Sequence, residues 1–108
     1  MACRACSPVV LSALTQNIRE ALRQGPSGAE HDLRVLGGEW EFQLQSTLKS
    51  VHIWHGEVDS VVPRIHCDYV HSCLRDAQLC IVSGEAHFSL PVRHCTEFLR
   101  TILEAGAW

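Results

Sequence analysis

The sequence predicts an α/β fold in which two or three parallel strands are flanked by helices. Residues 51–54 and 79–82 are short apolar runs with the length and composition of buried strands. Each run is followed by a Gly-containing loop, and Pro63 and Pro91 then open segments with helical apolar spacing. The order from residue 51 is therefore β-α-β-α. Strands joined through a helix run parallel, with a right-handed crossover.

The elements follow in order along the chain. Ser7 reads as an N-cap, with Pro8 at the first helical position. Leu11, Leu14, Ile18, Ala21 and Leu22 recur at helical spacing until Gly25-Pro26 stops the run, which predicts a helix over residues 8–24. Residues 26–38 are rich in Gly and polar side chains and are expected to be mostly loop. Trp40, Phe42 and Leu44 alternate with Glu39, Glu41 and Gln43. That pattern suits a short third strand, or an irregular segment that plugs aromatic rings into a core.

In the second half, residues 56–62 are expected as loop. The helix opened by Pro63 has Ile65, Tyr69, Cys73 and Leu74 as its apolar face. The helix opened by Pro91 carries Val92, Cys95, Leu99 and Ile102 on one face and is closed by Gly106. Two strands alone leave both outer edges of a sheet unpaired. The segment 51–108 thus reads as the end of a larger sheet, open to self-association through an exposed edge. With 108 residues the chain holds one domain at most: a helix and loop region over 1–50 and the β-α-β-α unit over 51–108.

Composition removes several function classes. The chain is 46% hydrophobic and 19% charged, which is a globular rather than a disordered balance. A net charge of −3 with no basic stripe gives no support to nucleic-acid binding. No apolar run reaches the roughly 18 residues of a membrane span, and the N-terminus lacks the pattern of a signal peptide. A soluble, cytoplasmic protein is the expectation. Without a secretion signal the six cysteines do not read as a disulfide framework. Cys3 and Cys6 have zinc or redox spacing but no second such pair closes a four-ligand site. Cys73, Cys80 and Cys95 fall in apolar patterns as small hydrophobes.

The chemistry lies in two loops. Val51-His-Ile-Trp-His-Gly-Glu-Val-Asp59 places an acid in the loop after the first strand. Gly84-Glu-Ala-His87-Phe-Ser-Leu90 places a histidine in the loop after the second, 28 positions beyond Asp59. Loops at the same ends of neighbouring parallel strands can set Asp59 beside His87. A carboxylate that accepts the imidazole Nδ1–H fixes the tautomer and stabilises the imidazolium, which is the acid–base pair of a Ser-His-Asp hydrolase. Asp59 and His87 are the candidate catalytic residues.

With those residues in view, the chain resembles the C-terminal part of the α/β-hydrolase family. In that family a strand followed by H-G-x-x-D and x-x-V-P carries the triad acid, matched here by His55 to Pro63. A later G-x-G-H-F stretch carries the triad His, matched by Gly84 to Phe88. The run Arg19 to Gly25, then Asp32, then Trp40-Glu-Phe42 is similar to the segment after the family's cap helices, so the resemblance spans roughly residues 15–105. It implies a partial α/β-hydrolase sheet, with Asp59 as the acid and His87 as the general base. His55 stands where the family's loop commonly holds a His that supports the acid loop. One position departs: Ala86 replaces the Gly before the His, and its Cβ makes a left-handed backbone more costly. The family's nucleophile elbow and oxyanion hole belong to its N-terminal half, which this sequence does not contain.

Gly25-Pro-Ser27-Gly-Ala29 has the form G-x-S-x-A, and Ser27, Asp59 and His87 stand in the family's order. A nucleophile elbow must follow a strand, whereas Ser27 follows a helical pattern. Ser89 sits next to His87 in sequence, a placement that disfavours a productive hydrogen bond. Cys67 and His71 have the i, i+4 spacing of a metal pair, without a third ligand nearby, and His94 is expected on the exposed side of the last helix. No cofactor or metal is implied. Two functions follow: a serine-type hydrolase of ester, amide or similar bonds, acting on a small-molecule substrate once a nucleophile-bearing N-terminal half is supplied, or a truncated non-catalytic remnant or interaction module.

Overall fold

The computed structural model describes residues 7–106. Cys3 and Cys6 lie outside them. The chain divides into two compact units, Met1–Phe42 and Gln43–Trp108.

The first unit holds helix α1, Pro8–Ala21, and helix α2, Ser27–Gly37. Extended Ser7 caps α1, its hydroxyl accepting the Val10 amide at 3.4 Å, with Pro8 at the first helical position. α1 ends three residues before the expected limit, and the chain turns at Gly25, whose φ of 99° lies in the left-handed region. α2 corrects the expectation of loop over 26–38. Pro26 stands ahead of the helix and Gly28 in its first turn, where both are tolerated. The body, from Ala29 through Leu36, is rich in good helix formers and is stapled by a Glu30–Arg34 ion pair. Neither helix buries a residue. The Trp40 segment forms no strand. Trp40 and Phe42 are exposed and stack on each other at 5.3 Å instead of entering a core.

The second unit contains a short 3-10 turn at Leu44–Ser46, then β1 (Val51–Gly56), α3 (Arg64–Cys73), β2 (Ala77–Val82) and α4 (Ser89–Glu104). The strands are parallel, with Ile53 beside Leu79 and Gly56 beside Val82. The fold is thus mixed α/β with a two-stranded parallel sheet. Both strands run two residues beyond the expected apolar cores, β1 at its end and β2 at its start. They finish together at Gly56 and Val82, which places the two following loops at one end of the sheet.

The helices turn different faces inward than their apolar spacing suggests. In α3 the buried residue is Cys67, while Ile65 and Tyr69 are 70% and 64% exposed. In α4 the inner side carries Leu90, His94, Phe98 and Thr101, and Val92, Cys95, Leu99 and Ile102 are exposed. Phe98 packs edge-on against Trp54 at 4.9 Å, and His94 lies 6.4 Å from the same indole, so His94 is on the inner side. Both helices are apolar on two sides, so periodicity alone does not choose between them. Cys80 and Cys95 are likewise exposed rather than packed inside, and Cys73 is half-buried.

One glycine sets how closely the loops approach. A Cβ on Gly56 would overlap the Glu85 carbonyl and lie 3.1 Å from the Ala86 amide nitrogen. Gly56→Ala should therefore push the His-bearing loop away from β1 and destabilise the second unit by about 1–3 kcal/mol. A urea-denaturation midpoint equal to that of the parent chain would show that the loops have room to spare.

Candidate active site

The acid loop is built by its own backbone. The chain turns after Gly56, whose carbonyl accepts the Asp59 amide at 3.1 Å, and the Val58 amide donates to the Glu85 carbonyl at 3.0 Å. Asp59 Oδ1 accepts the Val61 and Val62 amides at 2.8 and 2.9 Å, an Asx-type turn that fixes the carboxylate before Pro63. Its other oxygen, Oδ2, stands 3.0 Å from His87 Nδ1. The structure thus brings together the two residues that the sequence places 28 positions apart.

Burial differs across the pair. The Asp59 side chain is 6% exposed and that of His87 38%. Burial pushes the Asp59 carboxyl up. The Val62 amide, the His87 ring and the Val61 amide together outweigh that penalty and hold it below the ordinary aspartate value. An ionised carboxylate only accepts, so Nδ1 carries the proton, and in the neutral form of the ring Nε2 then holds the lone pair. That lone pair is what a general base uses. Among the described residues no hydroxyl or thiol hydrogen-bonds to the ring.

The His loop bends at Gly84, whose φ is 73°. Ala86, where the hydrolase pattern has Gly, keeps a negative φ. The departure at that position therefore brings no left-handed strain. The ring rests edge-on against Phe88 at 4.9 Å. A cleft of about 330 Å³ adjoins the pair, walled by Trp54, Val62, Leu90, Pro91 and Phe98. His55 also lines it, buried, and its ring makes no hydrogen bond among the described residues. Any support it gives the acid loop comes from packing.

Two further glutamates, which no sequence motif marks, tie the loops. Glu57 accepts the Ser83 hydroxyl at 2.6 Å and the Gly84 amide at 3.2 Å. The Ser83 hydroxyl and then the Gly84 amide lower its carboxyl, against a smaller opposing effect of desolvation. Glu85, only 6% exposed, accepts the Ser89 hydroxyl, and Arg93 Nη1 at 3.1 Å, with His94 Nε2 at 3.6 Å. The Ser89 hydroxyl lowers the Glu85 carboxyl, burial opposes it, and Arg93 then adds to the lowering. The only available signal was the regular four-residue spacing of Glu85, Ser89 and Arg93. A lone Glu after a strand otherwise reads as surface.

The remaining candidates stand elsewhere. Ser27 opens α2 in the first unit, exposed and preceded by a helix and turn rather than a strand. Ser89 is committed to Glu85 and to the Ala86 amide, which it accepts at 2.9 Å. Cys67 donates to the Arg64 carbonyl, and His71 Nε2 lies 3.3 Å from the Ala77 carbonyl. Among the described residues no group of three His, Cys, Asp or Glu side chains is placed to hold a metal ion. Among the same residues no helix is long and apolar enough to cross a membrane. No family model, curated protein or solved structure matches the chain.

The lowered Asp59 value has a consequence for stability. Because the folded value lies below the unfolded one, ionised Asp59 stabilises the fold above the ordinary aspartate value. That contribution is lost as the pH falls through the folded value. Asp59→Asn should cost about 1–3 kcal/mol near neutrality, with the gap from the parent closing in acid across that window. Urea melts over a pH series measure it, and a gap that stays constant into acid would mean that the carboxylate charge adds nothing.

Proposed function

We propose that this chain is the acid–base part of a serine-type hydrolase of the α/β-hydrolase kind, with His87 as general base and Asp59 as its orienting acid. The observation that carries the reading is the 3.0 Å contact between His87 Nδ1 and an Asp59 carboxylate already fixed by two backbone amides. Salt bridges on a surface lack that preorganisation. The position of the pair supports the same reading, because both side chains leave loops at one end of a parallel sheet, where α/β folds place their sites.

In this reading a serine in a segment other than the described residues supplies the nucleophile, together with the oxyanion donors. Its Oγ attacks the substrate carbonyl while its proton passes to His87 Nε2. Collapse of the tetrahedral adduct breaks the bond to the alcohol or amine, which takes that proton from the imidazolium. Water then repeats the sequence and releases the acid, restoring the serine. Asp59 stays ionised throughout and holds the imidazolium. The outward apolar residues of α3 and α4, such as Ile65, Tyr69 and Leu99, are suited to cover by that segment.

A non-catalytic interaction module is the second reading, favoured by the same apolar surface and by a His87 ring without a hydroxyl partner. Fluorophosphonate labelling followed by mass spectrometry separates the two. The chain joined to a strand-borne G-x-S-x-G segment should take one adduct per molecule, on that serine. Asp59→Asn should slow ester turnover by about 10³- to 10⁴-fold, and His87→Ala should abolish labelling. The chain of 108 residues alone should take none. Labelling of the joined product that survives His87→Ala, or an adduct on Ser27 of the chain alone, would contradict the hydrolase reading as stated.

A further inference from the structure

The geometry points to Glu85 as a positioning residue that keeps the His87 ring on Asp59, acting through Ser89. The inference rests on the reading of His87 as general base and extends it to a residue with no contact to the ring.

His87 lies between two residues that are tied to each other. Glu85 precedes it by two positions and Ser89 follows by two, and the Ser89 hydroxyl donates to Glu85 Oε2. The same hydroxyl oxygen accepts the Ala86 amide at 2.9 Å, and the Leu90 amide returns to the Ala86 carbonyl at 3.0 Å. Residues 85–90 therefore form a closed turn in which the only long side chains not folded into the network or core are those of His87 and Phe88. These two rings meet edge-on. The turn is then anchored at two points. Arg93, one helical turn further along α4, reaches Glu85 Oε1 at 3.1 Å. On the other side, the Glu85 carbonyl accepts Val58 N–H from the acid loop at 3.0 Å, directly over Gly56.

One residue thus joins both loops, its carbonyl bonded to the Asp59 loop and its carboxylate bonded to the His87 turn. A carboxylate this buried is costly to keep unless it serves several donors, and here it serves Ser89 and Arg93. A surface residue held only for charge would not be 6% exposed with a serine that is 3% exposed. Without the carboxylate, the Ser89 hydroxyl keeps only the longer contact to the Ala86 carbonyl at 3.4 Å, and the turn loses its tie to Arg93. The ring can then leave Asp59 without unfolding either strand.

The test is the exchange rate of the His87 Nδ1–H proton, followed by nitrogen-15 NMR in the whole chain. Glu85→Ala should speed that exchange by at least about tenfold while leaving the far-ultraviolet circular dichroism unchanged. Glu85→Gln, which keeps an oxygen for Ser89, should retain more protection than Glu85→Ala. If Glu85→Ala does not fold, Ser89→Ala carries the same expectation. A protected proton with unaltered exchange in the folded alanine variant overturns the proposal and leaves the hydrolase reading intact. A parent chain with no protected Nδ1–H overturns both. Failure of the serine-bearing product to label, with the exchange result as expected, overturns the hydrolase reading alone.

Discussion

The close approach of two loops at Gly56 is the constraint on which the rest of this structure depends. Parallel strands with matched ends place an acid loop and a His loop side by side. Only the missing Cβ of Gly56 lets the Glu85 carbonyl come near enough for Val58 to donate to it. The distance from Asp59 to His87 follows from that spacing. Each side chain is then fixed locally, the acid by two amides ahead of Pro63 and the ring by the turn closed through Ser89 and Glu85.

Electrostatics and backbone geometry reinforce each other here. Desolvation works against a charged Asp59, yet two backbone donors and the imidazole more than offset it. Glu57 and Glu85 use the same device, each accepting two donors, at least one of them within the His loop. Three carboxylates with lowered values therefore surround one bend. The arrangement is more than two strands need to stay paired, and it is concentrated where a ring must be aimed.

Local chemistry made part of this legible in the sequence. Short apolar runs closed by glycine, with prolines near the starts of the following helices, mark both strands and both loops, and the acid and His stand within those loops. Other features depend on choices that spacing does not encode. Helix α2 hides behind Pro26 and Gly28, which signal a turn before the helix formers that follow. The inner faces of α3 and α4 differ from the spacing-based expectation because each helix has apolar residues on two sides, and burial selects Cys67 and Phe98 over Ile65 and Leu99. Trp40 and Phe42 alternate like a strand but have no strand to pair with, and they satisfy each other by stacking. Glu85 stayed invisible because a charged residue after a strand reads as surface until its partners four and eight positions on are seen to fold back.

Everything at this site turns on an ionised Asp59 carboxylate fixing the tautomer of His87. Long-range proton–nitrogen-15 NMR of the imidazole in mildly alkaline solution reads the tautomer directly. A proton on Nδ1 and a bare Nε2 are expected in the parent chain, with that preference lost in Asp59→Asn. A ring protonated mainly at Nε2, or one whose tautomer is the same with and without the carboxylate, would contradict it.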